Sequence, residues 1–211
     1  MKRLDLLLLE KGLASTRTKA QELISSGKVL VNGKAIFRSG EKFCPASVEI
    51  VLTAAEYPYV SRGGLKLEEA LRSFSLSVKG LRALDVGQST GGFTDCLLRF
   101  GASEVVGVDV GSGQLSPALR ADARVKFFEK TDIRSLNPKS AGAPFPFFTV
   151  DLSFLSLSHV AELLPGFLEY SANGVVLVKP QFEVGPENVG SGGIVRDAAL
   201  QRDTEIGRAH V

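Results

Sequence analysis

Apolar residues change their period several times along the chain. Leu4, Leu7 and Leu8 recur at helical spacing, which predicts a first helix closed by Gly12. Ala20, Leu23 and Ile24 repeat that spacing, with Ser15 as the expected N-cap and Gly27 at the far end. Lys28-Val-Leu-Val-Asn-Gly-Lys34 then alternates around Asn32-Gly33, the signal of a type I′ hairpin. The stretch from Thr53 to Pro58 reads as part of a linker, and Leu65, Leu67, Ala70 and Leu71 mark a helix behind Tyr59-Val-Ser-Arg-Gly-Gly-Leu-Lys-Leu67. Beyond it the pattern becomes short apolar runs separated by amphipathic stretches. Strands are expected at Leu84–Val86, Val105–Val110, Val125–Glu129, Phe147–Asp151 and Gly174–Lys179, the last one buried. Helices are expected from Phe93 and over Leu157–Tyr170. Such βα alternation predicts a parallel sheet, so the chain reads as an α/β domain behind a small α+β module.

Charge sharpens that division. Residues 1–52 hold nine Lys/Arg against five Asp/Glu, giving +4, while residues 53–211 hold sixteen against eighteen, giving −2. A basic module beside a mildly acidic domain suits a polyanionic partner. Arg3, Arg17, Lys19, Lys28 and Lys34 are its candidate contacts. Cys44 and Cys96 make no disulfide framework, and two histidines build no His-rich metal site, so no metal is expected. Asp5 and Glu10 interrupt the apolar start, and no run approaches the ~18 residues of a membrane helix. The expected location is therefore the cytoplasm, with no membrane partner.

The densest chemistry lies in Leu84-Asp-Val-Gly-Gln-Ser-Thr-Gly-Gly-Phe93. Glycines 87, 91 and 92 let backbone N–H groups approach a ligand at a helix N-terminus. Asp109 ends the next strand, where a carboxylate suits ribose hydroxyls. The spacing is not that of a dinucleotide loop. It suits S-adenosylmethionine, whose amino-acid end takes the place of the phosphates. Asp85, Gly87, Ser89, Thr90, Gly91, Gly92 and Asp109 are the candidate cofactor residues, and Asp132, after the following strand, is placed to accept from the adenine amine. Asp151 and Lys179 end neighbouring strands on the same edge of the sheet, and Lys66 stands near the start of a helix, where the dipole gives a cation no support.

The first 52 residues resemble the S4 RNA-binding domain, most specifically in Gly27-Lys-Val-Leu-Val-Asn-Gly-Lys34. Residues 1–204 resemble the TlyA/hemolysin A family, an S4 domain fused to an FtsJ-type methyltransferase. The segments that carry the likeness are Tyr59–Leu67, Leu84–Leu98, Gly107-Val-Asp-Val-Gly111, Asp151-Leu-Ser-Phe154, Val178-Lys-Pro-Gln-Phe-Glu183 and Gly192-Gly-Ile-Val-Arg-Asp197. The resemblance implies a Rossmann-like methyltransferase sheet, S-adenosylmethionine as donor, and 2′-O-methylation of cytidines in ribosomal RNA, with ribosomal subunits as partners. Three members of the family's Lys-Asp-Lys-Glu tetrad match Lys66, Asp151 and Lys179. Lys179 would accept the ribose proton, and a partly desolvated lysine near a second lysine gives up its own proton more readily.

The chain departs from that family in carrying Gln88 where a small residue is usual, and in Gly64-Leu65 before Lys66. The fourth tetrad residue, a glutamate, is expected beyond residue 211, and neither Glu183 nor Glu187 stands in its place. Residues 205–211 read as a non-native tail. The expected division is an S4 domain over 1–52, a linker over 53–61 and a methyltransferase domain over 62–204. Competing readings are a non-catalytic ribosome-binding protein with the same fold, a base or protein methyltransferase and, more weakly, a cytolysin. Asp151-Leu-Ser-Phe154 stands where a base methyltransferase would carry an Asn/Asp-Pro-Pro-Tyr-like loop.

Overall fold

The computed structural model describes residues 1–53, 58–153 and 155–206, and the chain divides between Pro58 and Tyr59 into two units. In the first, β1 (Lys2–Arg3) leads into α1 (Leu4–Glu10) and α2 (Arg17–Ser25). Leu4, Leu7, Leu8, Ala20, Leu23 and Ile24 are the buried faces of those helices, as their spacing predicts. Gly12 and Gly27 both take positive φ just past the helix ends. The N-cap of α2 is Thr16 rather than Ser15: its backbone is extended and its hydroxyl accepts from the Lys19 N–H at 3.2 Å. β2 (Val29–Val31) and β3 (Lys34–Ala35) form the hairpin, with Asn32 and Gly33 at φ 49° and 78°. The short β4 (Lys42–Phe43) pairs with β1, and β5 (Ile50–Leu52) pairs with β2 to give a three-stranded antiparallel sheet.

The second unit begins earlier than the expected linker boundary. Tyr59 is buried, its hydroxyl donates to Glu68 at 2.8 Å, and the Val60 N–H donates to Asp95 at 2.9 Å. These contacts dock the segment on α3 (Gly63–Ser73) and α4 (Gly92–Arg99). Both helices lie beside a five-stranded, wholly parallel sheet of β6 (Arg82–Val86), β7 (Glu104–Val108), β8 (Val125–Phe128), β9 (Phe145–Val150) and β10 (Leu168–Val176). α5 (Pro117–Arg120) and α6 (Pro138–Ala141) fall in the connections around β8. Leu84, Val86, Val106, Val108, Phe145 and Val150 make the core, and fully burying each such side chain is worth about 1.5–3 kcal/mol.

The strand order is β10-β9-β6-β7-β8. Connections from β6 run one way to β7, while β9 lies on its other side, so the sheet changes direction at the β6/β9 boundary. In open α/β sheets a crevice forms at that point, beyond the carboxyl ends of the strands. Two expectations fail near the β10 edge. The stretch Leu157–Tyr170 is not one helix: α7 (Ser158–Ala161) stops early, Leu164–Gly166 is a 3₁₀ turn and Leu168 already belongs to β10. Pro165 and Gly166 break the helical ladder there. The strand expected at Gly174–Lys179 begins earlier, ends at Val176, and is an edge strand with half-exposed residues rather than a buried one. α8 (Ala198–Ile206) is the last element, and residues 207–211 of the expected tail lie outside the described residues.

Candidate active site

The turn after β6 is built by glycines with specific work to do. Gly87 has φ 87°, and a Cβ there would collide with the backbone carbonyl of Asp151. Only glycine lets the turn press against the end of β9. Gly91, at φ 93°, caps α4, and a side chain there would strike Leu119. Gly92 gives the same closeness to Ser61, so the Ser61–Gly64 segment packs directly on the start of α4. Gly91 and Gly92 thus shape the turn, and neither they nor Thr90 line its cavity.

That cavity has a volume of about 480 Å³ and sits at the crevice. Gly87, Ser89, Asp109, Asp132 and Asp151 all reach its wall, joined by Gln114, Thr131, Ile133, Leu152, Ser153 and Leu155. Its size falls in the range of about 300–1,000 Å³ usual for small-molecule sites. Asp109 locks the two loops over it: Oδ2 accepts from the Ser89 N–H and Oδ1 from the Gly111 N–H, both at 2.7 Å. Each oxygen keeps a further lone pair for a ligand hydroxyl. Asp132 is engaged by Arg134 through its guanidinium, at 2.6–3.0 Å, and that contact holds its carboxyl below the usual range. The donor set fits the expected cofactor: carboxylates for ribose hydroxyls and an amine, with Ile133, Leu152 and Leu155 as an apolar lining. A second cavity of about 520 Å³, between α7, β10 and α8, is mainly apolar and contains none of these acids, its own carboxylates being Glu183 and Asp203.

Asp85 is placed differently from its expected companions. It is fully buried beneath the turn, with Oδ2 accepting from Thr94 at 2.6 Å and Oδ1 from Thr149 at 2.8 Å. Gln88 Nε2 donates in turn to Thr94 Oγ1 at 2.9 Å. Burial pushes the Asp85 carboxyl up to about 6, against the pull of the two hydroxyls. The large Gln88 side chain does not crowd the turn, because it lies over Gly107, where any Cβ would collide with it.

At the other wall, Lys179 Nζ lies 2.6 Å from Asp151 Oδ1 and donates to Ser153 Oγ at 3.0 Å. Asp151 Oδ1 is buried and has no aligned hydrogen-bond donor, so the pair is held by charge. Both side chains are about one-fifth exposed. Lys66 stands apart on the exposed first turn of α3, and no hydrogen bond or ion pair among the described residues links it to Asp151 or Lys179. Glu183 accepts from Ser156 Oγ at 2.7 Å and the Leu157 N–H at 3.0 Å, a loop-holding arrangement. Ser153, Gln114 and Thr149 are the contributors that sequence reasoning passed over. Only Ser153 had a visible signal, as a polar residue inside Asp151-Leu-Ser-Phe154 (Phe154 lies outside the described residues).

Of the candidate cations in the first unit, Arg3 and Arg17 both bind the buried Asp5. Lys28 is half-buried at the start of β2, Lys34 is exposed on β3, and Lys19 lies in the first turn of α2. Among the described residues, no helix is long and apolar enough to cross a membrane.

Residues 59–209 match the model of the FtsJ-like methyltransferase family, and residues 2–44 match the S4 domain. The chain is 45% identical over 199 residues to the 16S/23S rRNA (cytidine-2′-O)-methyltransferase TlyA of Mycobacterium tuberculosis, covering 94% of this chain and 74% of that protein. It is 39% identical to Hemolysin A of Brachyspira hyodysenteriae, covering 94% and 82%. A solved structure from Streptococcus thermophilus is 40% identical with a TM-score of 0.74, covering 98% of this chain and 75% of that one.

Proposed function

The chain belongs to the FtsJ-like methyltransferase family, in its TlyA branch with an S4 domain in front, and from that premise we propose how its residues carry the reaction. The reaction is S-adenosylmethionine-dependent 2′-O-methylation of ribosomal RNA. The observation that carries the residue assignment is the Asp151–Lys179 pair on the rim of a cavity that also contains Asp109.

Asp109 holds the cofactor's ribose, and Gly87 and Ser89 receive its amino-acid end. Asp132, already oriented by Arg134, meets the adenine. S-adenosylmethionine supplies an electrophilic methyl group. Lys179 takes the proton of the attacking 2′-hydroxyl. Lys179 Nζ is held between Ser153 Oγ and Asp151 Oδ1, at 3.0 Å and 2.6 Å. Asp151 fixes its position and compensates its charge once the substrate proton arrives. Lys66 joins this pair only when RNA or cofactor draws α3's first turn towards it. The S4 unit supplies phosphate contacts through Arg3, Arg17, Lys19, Lys28 and Lys34. Ribosomal subunits are the partners and the cytoplasm is the location, both supported by a substrate that is ribosomal RNA.

Single-turnover methyl transfer to undermethylated ribosomal subunits tests the assignment. Lys179→Ala should slow transfer by ~10²–10⁴-fold, the usual worth of a positioned proton acceptor, with cofactor affinity nearly unchanged. Lys179→Arg should rescue little, because a guanidinium does not deprotonate near neutrality. Near-normal rates in Lys179→Ala would reduce that residue to an ion-pair partner.

A further inference from the structure

Asp5, in the first turn of α1, has a fully buried side chain on which five donors converge. Oδ1 accepts from Arg3 Nε and the Leu6 N–H, both at 3.0 Å. Oδ2 accepts from Arg3 Nη2, Arg17 Nε and Gln21 Nε2, each at 3.0 Å. A carboxylate offers about four lone-pair sites, so nothing remains for water. The Arg3 hydrogen bond leads the effects that hold this carboxyl far below its ordinary range.

The two guanidinium groups are only partly used. Their side chains remain 38% and 53% exposed. Among the described residues, Arg3 Nη1 and the Nη1 and Nη2 of Arg17 have no hydrogen-bond partner. Arg3 Nη1 lies beside Gly40, where an added Cβ would approach it to 3.3 Å. One negative and two positive charges leave a surplus of +1, on groups whose torsions are already fixed from below.

We propose that Asp5 organises Arg3 and Arg17 into a seat for one RNA phosphodiester, with their free terminal nitrogens as donors. The proposal rests on the reading of the first unit as an RNA-binding domain. Planar guanidinium groups match phosphate oxygens two at a time. Anchoring both through their Nε edges removes ordering entropy that a free arginine would lose on binding. Asp5 is thus a positioning residue, acting on RNA through its neighbours.

Charge arithmetic and the seat make opposite predictions for Asp5→Asn. Removing a negative charge from a basic face tightens a purely coulombic complex, whereas loss of the seat weakens it. Binding of the full chain to unmodified, in-vitro-transcribed ribosomal RNA, measured across a potassium chloride series, separates them. Asp5→Asn, checked for folding by its melting curve, should bind about tenfold more weakly. Arg17→Lys keeps the charge but loses the fork, and should also bind about tenfold more weakly, with the log–log salt slope unchanged. Arg17→Ala should in addition lower that slope by about one. Wild-type affinity in Arg17→Lys, or equal or tighter binding by folded Asp5→Asn, overturns the seat. If Asp5→Asn does not fold, Arg17→Lys alone decides. A wild-type chain that neither binds nor methylates the RNA would sink the RNA reading itself. A seat that fails alone leaves wild-type RNA binding and Lys179-dependent methyl transfer intact.

Discussion

Asp85 and Asp5 are both fully buried carboxylates, yet their neighbours drive them in opposite directions. Asp5 faces two arginines, so its charge is welcome. Asp85 meets hydroxyls and no cation, and burial raises it from 3.8 to about 6. Between those values the folded chain holds a proton on Asp85 that the unfolded chain has released. Its stabilisation is therefore full below about pH 3.8 and disappears as pH rises through about 6, a change of about 3 kcal/mol. Asp5 acts only as pH falls below the ordinary carboxylate range, so the two windows do not overlap. Melting curves between about pH 4 and 6.5 should show that slope in the wild type and not in Asp85→Asn; an unchanged slope would remove Asp85 as its source. Asp109 belongs to the same scale. Its two oxygens clamp the Ser89 and Gly111 amides, so Asp109→Ala should weaken cofactor binding by roughly 1–3 kcal/mol in a calorimetric titration, and equal affinity would reject the ribose assignment. The sequence made Asp109 legible because it ends a strand after a Gly-rich turn. It could not separate Asp85, which hides beneath the turn, from residues that line the cavity, because burial depends on Thr94 and Thr149 arriving from other elements.

Elements were legible where one periodicity governed them. The α1, α2 and β6 patterns follow local apolar spacing, and the Asn32-Gly33 turn follows from two positive φ angles. The Leu157–Tyr170 stretch was misread because its apolar residues serve three short elements that share no period, broken at Pro165-Gly166. β10 was misread as buried because a run of valines carries no record of whether a neighbouring strand covers both edges. Steric closeness between elements is equally silent in sequence. Gly64 in α3 faces the Tyr59 ring so tightly that a Cβ would collide with it. Gly64→Ala should therefore lose about 1–3 kcal/mol by overpacking, although alanine ordinarily favours a helix by about 1 kcal/mol over glycine. A chemical-denaturation midpoint at or above the wild type would show that the segment Tyr59–Ser61 yields freely, and that its docking on α3 and α4 is not what demands glycine.

At the scale of the whole molecule, charge is divided by task. The first 52 residues hold a surplus of +4 and the remainder −2, while the cavity of the second unit gathers Asp109, Asp132 and Asp151. RNA affinity and cofactor affinity should therefore respond to salt differently. Arg3, Arg17, Lys28 and Lys34 present four cations, and Asp5 compensates one of them. Three neutralised phosphates predict a log–log salt slope between about −2.1 and −2.7, depending on whether the RNA is single-stranded or paired at the contact. That amounts to a loss of roughly 20- to 40-fold in RNA affinity between 50 and 200 mM salt. If the cofactor sits in the cavity of Asp109 as proposed, its affinity depends on hydrogen bonds in a partly enclosed space, where screening is weak, and should change little over the same range. Parallel titrations of one protein preparation with ribosomal RNA and with S-adenosylmethionine measure both. A slope near −1 for RNA would mean that the basic surface of the first unit is mostly solvated and that recognition is carried by shape and unpaired bases. An equally steep salt dependence for the cofactor would mean that its cavity is open to solvent, and that Asp109 and Asp132 act as surface charges rather than as fixed hydrogen-bond acceptors.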